Sequence, residues 1–178
     1  MEELSFEVIE IDNKERAINE IMDKYGQQIL QLVFSYVNNK ETAEDLTQDI
    51  FVKCYKSLHT YNKKSKVKTW LWRIAINHCK DYLKSWYSKN VMINETEVMN
   101  NSTENEIVEQ TVIQNDEDRR LALTVMNLPI NYREVIYLFY FEEMTIKDIA
   151  HVTKINENTV KTRLKRAKEI LKEQLEEK

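Results

Sequence analysis

The chain has 178 residues, 42% hydrophobic and 31% charged, which is enough for one mid-sized domain or two small ones. It contains one glycine and one proline, too few for the tight turns of a sheet protein, so the composition favours an all-α fold. The net charge of −4 hides a basic block: residues 53–89 carry 10 basic side chains and 1 acidic one, whereas residues 1–52 and 90–118 are strongly acidic. The basic block suits phosphates, and the acidic blocks suit basic protein surfaces.

Several classes of protein are disfavoured by what the sequence lacks. Cys54 and Cys79 are too few and too far apart for a disulfide framework. The acidic start MEELSFEVIEID does not resemble a signal peptide, and the apolar run at 136–141 is too short to span a bilayer. There is no glycine-rich phosphate loop and no HExxH motif. We therefore expect a cytoplasmic protein that is not an enzyme, without membrane insertion, metal, cofactor or small-molecule substrate.

Three helices are predicted in the first half of the chain. Apolar residues recur with a helical period from 14 to 37. Thr42 and Asp45 resemble a capping box that opens a second helix. The second helix, over 43–58, has a predicted buried stripe of Ala43, Leu46, Ile50, Cys54 and Leu58. The third helix, over roughly 67–87, is expected to bury Leu71, Ile74, Ala75, His78 and Tyr82.

The sequence between the two halves predicts a boundary. Residues 89–116 are rich in Asn, Ser, Thr and Glu and have little apolar periodicity, which favours a flexible linker with at most a short helix. The linker separates a first domain, 14–88, from a second, 117–178. In the second domain one helix ends at Pro129 and another surrounds residues 135–139.

A helix-turn-helix is predicted at residues 145–175. Thr145 and Asp148 can cap its first helix, Asn156 can cap its second, and the small Ala150 allows the two to approach closely. The second helix has polar groups in its first turns and basic groups nearby, as a major-groove recognition helix requires. These candidate DNA contacts are Asn156, Glu157, Asn158, Thr159, Lys161, Thr162, Arg163, Lys165 and Arg166.

All three tryptophans lie within residues 68–86, among lysines. Aromatic rings beside cations suit single-stranded nucleic acid, because bases stack on the rings while lysines bind phosphates. We expect Trp72 and Trp86 to pack in the protein and Trp70, with the basic loop at 63–68, to contact nucleic acid. A single exposed stripe is predicted for Arg73, Asn77, Lys80, Asp81 and Lys84.

The second helix presents a mixed polar face suited to another protein. Its outward residues are Asp45, Gln48, Asp49, Val52, Lys53 and Lys56.

Three segments in order carry a family resemblance: AEDLTQDIFVKCYKSL, TWLWRIAINHCKDYL and EEMTIKDIAHVTKINENTVKTRLKRAKEIL. They resemble successive signatures of a bacterial RNA polymerase sigma factor, and the two-domain form is similar to the extracytoplasmic-function (ECF) group of the sigma-70 family. The resemblance covers about 22–88 and 117–175.

The resemblance implies core RNA polymerase and promoter DNA as partners. Contacts with the β′ clamp helices are implied for Asp45, Leu46, Gln48, Asp49, Phe51 and Lys53. Capture of a flipped base and melting of the −10 element are implied for Asn62, Lys63, Lys64, Lys66, Lys68, Trp70, Arg73, Asn77, Lys80, Asp81 and Lys84. The helix-turn-helix would bind the −35 element, with its apolar flank on the β flap. An anti-sigma factor, often membrane-anchored, would hold the chain inactive in a stress or envelope response.

The sequence departs from the family pattern at two turns. The helix-turn-helix turn usually has glycine four residues after the alanine, where this chain has Lys154, and the base-capturing loop has Asn62-Lys63-Lys64 where glycine is common. A left-handed residue with a side chain costs about 1 kcal/mol, and Asn tolerates that conformation better than Lys. Both departures bear on loop geometry and promoter sequence.

Three other interpretations compete. An enzyme would need clustered catalytic groups, but His59, His78 and His151 are scattered. A zinc or redox switch would use Cys54, Cys79 and His78. A helix-turn-helix repressor would explain residues 117–175 but not the two ordered motifs in the first half. We also hypothesise that the acidic segments 1–20 and 90–118 compete with DNA for the basic faces of the free protein.

Overall fold

The computed structural model describes residues 13–90 and 116–176, and within these ranges the chain is helical, with no strand. The all-α prediction is therefore confirmed. In the same ranges no helix is long and apolar enough to cross a membrane. The predictions for the acidic N-terminal segment and for most of the linker fall on residues outside the described ranges.

The first domain contains three long helices. They are α1 (Lys14–Val37), α2 (Lys40–Ser57) and α3 (Val67–Asn90), with a short 3-10 turn, Leu58–Thr60, after α2. The predicted bounds of α1 are confirmed. The Asn13 side chain caps its start by accepting a hydrogen bond from the Arg16 backbone N–H at 3.1 Å, and left-handed Asn38 ends it at φ 51°.

The predicted capping box at the start of α2 is wrong. The helix begins at Lys40, because the Asn39 side chain accepts a hydrogen bond from the Thr42 backbone N–H at 2.9 Å. Extended Asn39 follows left-handed Asn38, so two adjacent asparagines end one helix and cap the next. The predicted buried stripe is confirmed at every position: Ala43, Leu46, Ile50 and Cys54 are buried on α2, and Leu58 is buried in the 3-10 turn that follows it.

The buried face of α3 is turned relative to the prediction. Leu71 and Ala75 are buried as expected, but Ile74, His78 and Tyr82 are half-buried. Trp72 lies in the core, as predicted, with its ring edge-to-face against Tyr25 at 5.7 Å between centroids. Burying this large ring gains more apolar contact than burying His78 would, so the helix turns toward it. The other core residues of α3 are Val67, Ile76, Cys79 and Leu83.

The second domain is a set of shorter helices ending in the helix-turn-helix. They are α4 (Asp116–Met126), α5 (Ile130–Ile136), which widens into a π-helical turn at Tyr137–Phe141, α6 (Ile146–Thr153) and α7 (Glu157–Glu176).

The predicted caps of the helix-turn-helix are confirmed. Thr145 and Asp148 form a reciprocal capping box at the start of α6. The Asn156 side chain accepts a hydrogen bond from the Thr159 backbone N–H at 2.7 Å, which caps α7. On α7, Val160, Leu164 and Ala167 are buried, and Leu171 and Leu175 are half-buried.

The two domains pack against each other. Helix α3 lies on α6, and α1 lies on α5. The buried apolar side chains of both domains belong to one cluster. This packing places the second domain along the basic helix α3, which bears directly on the candidate site.

Candidate nucleic-acid interface

The outward face of α2 combines charged and apolar side chains. Val52 is 51% exposed and Tyr55 is 40% exposed. Four of the six polymerase contacts implied by the resemblance are exposed: Asp45, Gln48, Asp49 and Lys53. Leu46 and Phe51, the other two, are buried in the core, so in this structure they hold α2 in place and cannot themselves form a contact surface.

His78 lies beneath this face and joins α2 to α3. Its Nε2 is 3.7 Å from the Asp49 Oδ2, beyond hydrogen-bond distance, and neither ring nitrogen has a hydrogen-bond partner. Burial lowers the pKa of His78, and the nearby Lys53 lowers it further, while Asp49 and Asp81 oppose the shift. The imidazole is therefore held in its neutral form near pH 7.

The two cysteines are buried thiols. Burial raises the pKa of Cys54 to about 12, and burial together with Glu134 raises the pKa of Cys79 to about 12. Thiolates bind metals and react with oxidants, and these shifts suppress thiolate formation. In the part of the chain that the structure describes, no group of three or more His, Cys, Asp or Glu side chains could hold a metal ion.

The basic loop before α3 is built around one left-handed lysine. Lys63 has φ 60°, so the strained position is the lysine and not Asn62. The Asn62 side chain accepts a hydrogen bond from the Lys64 backbone N–H at 3.1 Å, and the Tyr61 hydroxyl donates to the Ser65 carbonyl at 2.5 Å. These bonds fix the loop while the lysines at 63, 64 and 66 are exposed.

The three tryptophans differ in burial. Trp72 is fully buried, as predicted. Trp86 is half-buried and packs edge-to-face on Tyr87 at 5.4 Å between centroids. Trp70 is half-buried at the start of α3, tilted against Tyr61 at 5.4 Å. Its partial exposure next to the basic loop leaves ring surface on which a base could stack.

The predicted exposed stripe on α3 is wrong for three of its five residues. Asp81 and Lys84 are exposed, but Arg73, Asn77 and Lys80 are half-buried. For Lys80 the prediction failed because helical periodicity places residues on a face of one helix but does not show that the second domain packs there.

Two lysines of α3 pair with carboxylates of the second domain. The Lys80 Nζ is 2.9 Å from the Glu134 Oε1 and donates to the Thr153 carbonyl at 3.2 Å. The Lys68 Nζ is 3.0 Å from the Glu142 Oε2 and lies 4.8 Å from the centroid of the Trp72 ring. Both lysines are among the −10 contacts that the resemblance implies.

Helix α7 presents most of its predicted DNA-binding residues to solvent. The exposed ones are Asn156, Glu157, Asn158, Lys161, Thr162, Lys165 and Arg166. Thr159 and Arg163 are half-buried. Arg163 points inward, with its NH1 3.9 Å from the Glu134 Oε2. The turn before α7 contains Lys154 at φ 58° and ψ 35°, the left-handed conformation expected where glycine is usual.

Sequence reasoning missed the buried acids Glu134 and Glu142. Glu134 follows Arg133 within the otherwise apolar stretch that leads into residues 135–141. A charged pair at the start of such a run is a signal of a buried polar contact. The signal does not reveal the partner, because Lys80 is 54 residues away in the sequence.

Comparisons with known proteins agree with this architecture. The Sigma-70 region 2 family model matches residues 21–87, and the Sigma-70 region 4 model matches residues 118–171. The chain is 33% identical to the ECF RNA polymerase sigma factor SigM of Bacillus subtilis over 87% of this chain and 93% of SigM. It is 32% identical to SigW of the same organism over 89% of each chain.

Solved structures of low sequence identity share the fold. The sigma factor RpoE of Bartonella quintana, solved with the anti-sigma factor NepR, matches with a TM-score of 0.77 at 18% identity, covering 91% of this chain and 98% of that one. CnrH, solved with the cytosolic domain of CnrY, matches with a TM-score of 0.65 at 22% identity, covering 90% and 88%. Two family models in order along the chain, with relatives above 30% identity over most of its length, show that the chain belongs to the sigma-70 family of RNA polymerase sigma factors, in its ECF group.

Proposed function

We propose that this protein binds core RNA polymerase and directs promoter-specific initiation, recognising the −35 and −10 elements and melting the DNA at the latter. The observation that carries the proposal is the pairing of two surfaces in one chain. Region 2 presents the exposed polar face of α2, and region 4 presents the exposed basic face of a capped helix-turn-helix. A sigma factor needs both, because it must attach to polymerase and to duplex DNA together.

The residue roles follow from exposure. We assign polymerase contact to the exposed set on α2, namely Asp45, Gln48, Asp49 and Lys53. Helix α7 enters the major groove with its first turns, where polar side chains reach base edges and lysines and arginines bind phosphates. In region 2, the loop at 62–66 and Trp70 bind the separated strand. The apolar flank of the helix-turn-helix faces the polymerase β flap.

An anti-sigma factor is the proposed regulatory partner. RpoE of Bartonella quintana and CnrH were each solved with another protein, the anti-sigma factor NepR and the cytosolic domain of CnrY respectively. By analogy, we assign to this chain a protein that holds it inactive until a stress or envelope signal releases it. The acidic and basic surfaces of the two domains offer such a partner contacts of both signs.

Transcription with purified core polymerase tests the proposal. The template is a library of genomic promoter fragments from the source organism, and the expected result is defined transcripts that depend on this protein. Asp49→Ala should weaken polymerase binding, with Glu44→Ala as a charge-matched control, since Glu44 is exposed on the same helix. Trp70→Ala should reduce transcription from duplex templates but much less from templates with a pre-melted −10 region.

Other outcomes would contradict specific parts of the proposal. A protein that binds duplex DNA tightly alone and supports no initiation with polymerase would be a repressor. If Trp70→Ala reduces transcription equally on duplex and pre-melted templates, Trp70 does not act in melting.

A further inference from the structure

Two nearly buried carboxylates of region 4 form ion pairs with lysines on α3. The Glu134 side chain is 2% exposed and pairs with Lys80 at 2.9 Å. The Glu142 side chain is 6% exposed and pairs with Lys68 at 3.0 Å. Because the lysines are 12 residues apart, the contacts are separated by about 18 Å along the helix axis. Region 4 therefore covers a long part of α3 and does not touch it at one point only.

Glu134 is the more connected of the two acids. Its Oε1 also accepts a hydrogen bond from the Tyr36 hydroxyl on α1 at 2.5 Å, and its Oε2 lies 3.9 Å from the Arg163 NH1 on α7. Burial raises the pKa of Tyr36 well above its ordinary value, and Glu134 raises it further, so the hydroxyl keeps the proton that it donates. One carboxylate thus joins helices of region 2 to the recognition helix of region 4.

A buried carboxylate is costly unless its charge is matched and its oxygens are hydrogen-bonded. Lys80 and Arg163 balance the charge of Glu134, and the Tyr36 hydroxyl donates a hydrogen bond to it. Both Lys80 and Arg163 are candidate DNA contacts, one for each promoter element. A carboxylate and a DNA phosphate are both anionic oxygen acceptors, so a lysine already engaged in this way is not free for a phosphate.

We propose that the free protein holds itself in a closed, self-inhibited state in which Glu134 and Glu142 occupy the lysines of α3 that DNA phosphates would otherwise bind. The inference rests on the proposed role of α3 in binding promoter DNA. Opening separates region 4 from α3, returns both carboxylates to water and frees Lys80, Lys68 and Arg163 together. Any partner that binds only the open form, polymerase included, shifts the population toward it.

Only open molecules bind DNA, so the apparent Kd for DNA equals the Kd of the open form divided by the fraction of molecules that are open. For a chain that is open in about one molecule in ten, complete opening tightens binding roughly tenfold. The inhibiting acids lie in region 4 at fixed positions. This differs from competition by the acidic segments 1–20 and 90–118, whose effect would depend on total charge and not on two particular side chains.

The test uses the full-length protein and the double variant Glu134→Gln/Glu142→Gln, which keeps the shape of both side chains and removes their charges. Its control is Glu143→Gln/Glu173→Gln, which removes the same charge from exposed positions of the same domain. Affinity is measured by fluorescence anisotropy with a short single-stranded oligonucleotide at fixed salt. Compactness is measured by small-angle X-ray scattering, for which a compact chain of this length has a radius of gyration of about 16 Å.

The double variant should bind the oligonucleotide roughly tenfold more tightly than its control and have a larger radius of gyration, with helical content unchanged by circular dichroism. Tyr36→Phe, which changes no charge, should tighten binding about two- to sixfold. If the double variant loses helical content, the affinity of Tyr36→Phe for the oligonucleotide tests the inference in its place. Equal affinities and radii in variant and control would overturn the inference.

A parallel measurement separates this inference from the proposed function. If wild-type protein supports initiation with core polymerase while the double variant stays closed, the inference fails and the proposed function stands. If the double variant opens and binds DNA more tightly, the inference is supported. If it opens without tighter binding, Lys80 and Lys68 are not DNA contacts, and the self-inhibition is refuted even where initiation is normal.

Discussion

Lys154 lies in the turn of the helix-turn-helix with φ 58° and ψ 35°, a left-handed conformation in which a side chain clashes with its own backbone. Replacing it with glycine, Lys154→Gly, removes a penalty of roughly 1–2 kcal/mol. The change also gives the unfolded chain more freedom, which costs about 0.4–1 kcal/mol. The net effect should be a gain of about 0.5–1 kcal/mol in the free energy of unfolding, or a Tm higher by roughly 1–4 °C.

Chemical denaturation followed by circular dichroism measures this effect. The matched control is Lys165→Gly, an identical change at an exposed position inside α7. There the helical backbone favours lysine over glycine, so the control should lose about 1 kcal/mol. The two substitutions should therefore have opposite signs. If Lys154→Gly destabilises the protein as much as Lys165→Gly does, the reasoning from backbone strain is refuted.

Two further predictions concern His78 and the cap of α7. Burial lowers the pKa of His78 below its ordinary value of 6.5, so its contribution to stability is fully present above that pH and is lost as the pH falls toward the lowered folded-state pKa. The free energy of unfolding should fall from about pH 7 to pH 5, and it should fall less steeply in His78→Gln. An unchanged slope in the variant would show that other groups cause the fall. Asn156→Ala removes the 2.7 Å cap of α7 and should cost about 1 kcal/mol, whereas Asn158→Ala, at the second residue of the helix, should change the free energy of unfolding little; equal losses would contradict the capping role.

The closed arrangement gives one physical explanation for segregated charge in this chain. The basic block at 53–89 needs anionic partners, and two of its lysines find them in region 4. In these pairs the carboxylates are nearly buried while the Lys68 and Lys80 side chains are 34% and 31% exposed. The cost of burying the carboxylates offsets much of the attraction, so the net contribution of the pairs to stability is small. A contact with small net stability can be exchanged for DNA or polymerase at low cost, which suits a protein that changes partners.

Local features were predictable from the sequence because their causes are local. The single glycine and proline are too few for the tight turns of a sheet protein and favour helices. The bounds of α1 follow from its apolar period, and Thr145 lies within three residues of its capping-box partner Asp148. The left-handed turn at Lys154 was also predictable, since the family pattern places glycine there. Asn39 was missed as the cap of α2 because two candidate caps lay close together and geometry chose between them.

Long-range features were decided by tertiary packing alone. That Ile74, His78 and Tyr82 on α3 are only half-buried depends on how α3 packs, with the Trp72 ring against Tyr25, which no period in one helix encodes. The predicted exposed stripe of α3 was wrong at Lys80 because the burial of that residue depends on where region 4 lies. The buried acid Glu134 was not predicted, although the charged pair Arg133–Glu134 beside an apolar run signals a buried polar contact. Only the folded chain, which brings Tyr36, Lys80 and Arg163 around it, showed what neutralises its charge.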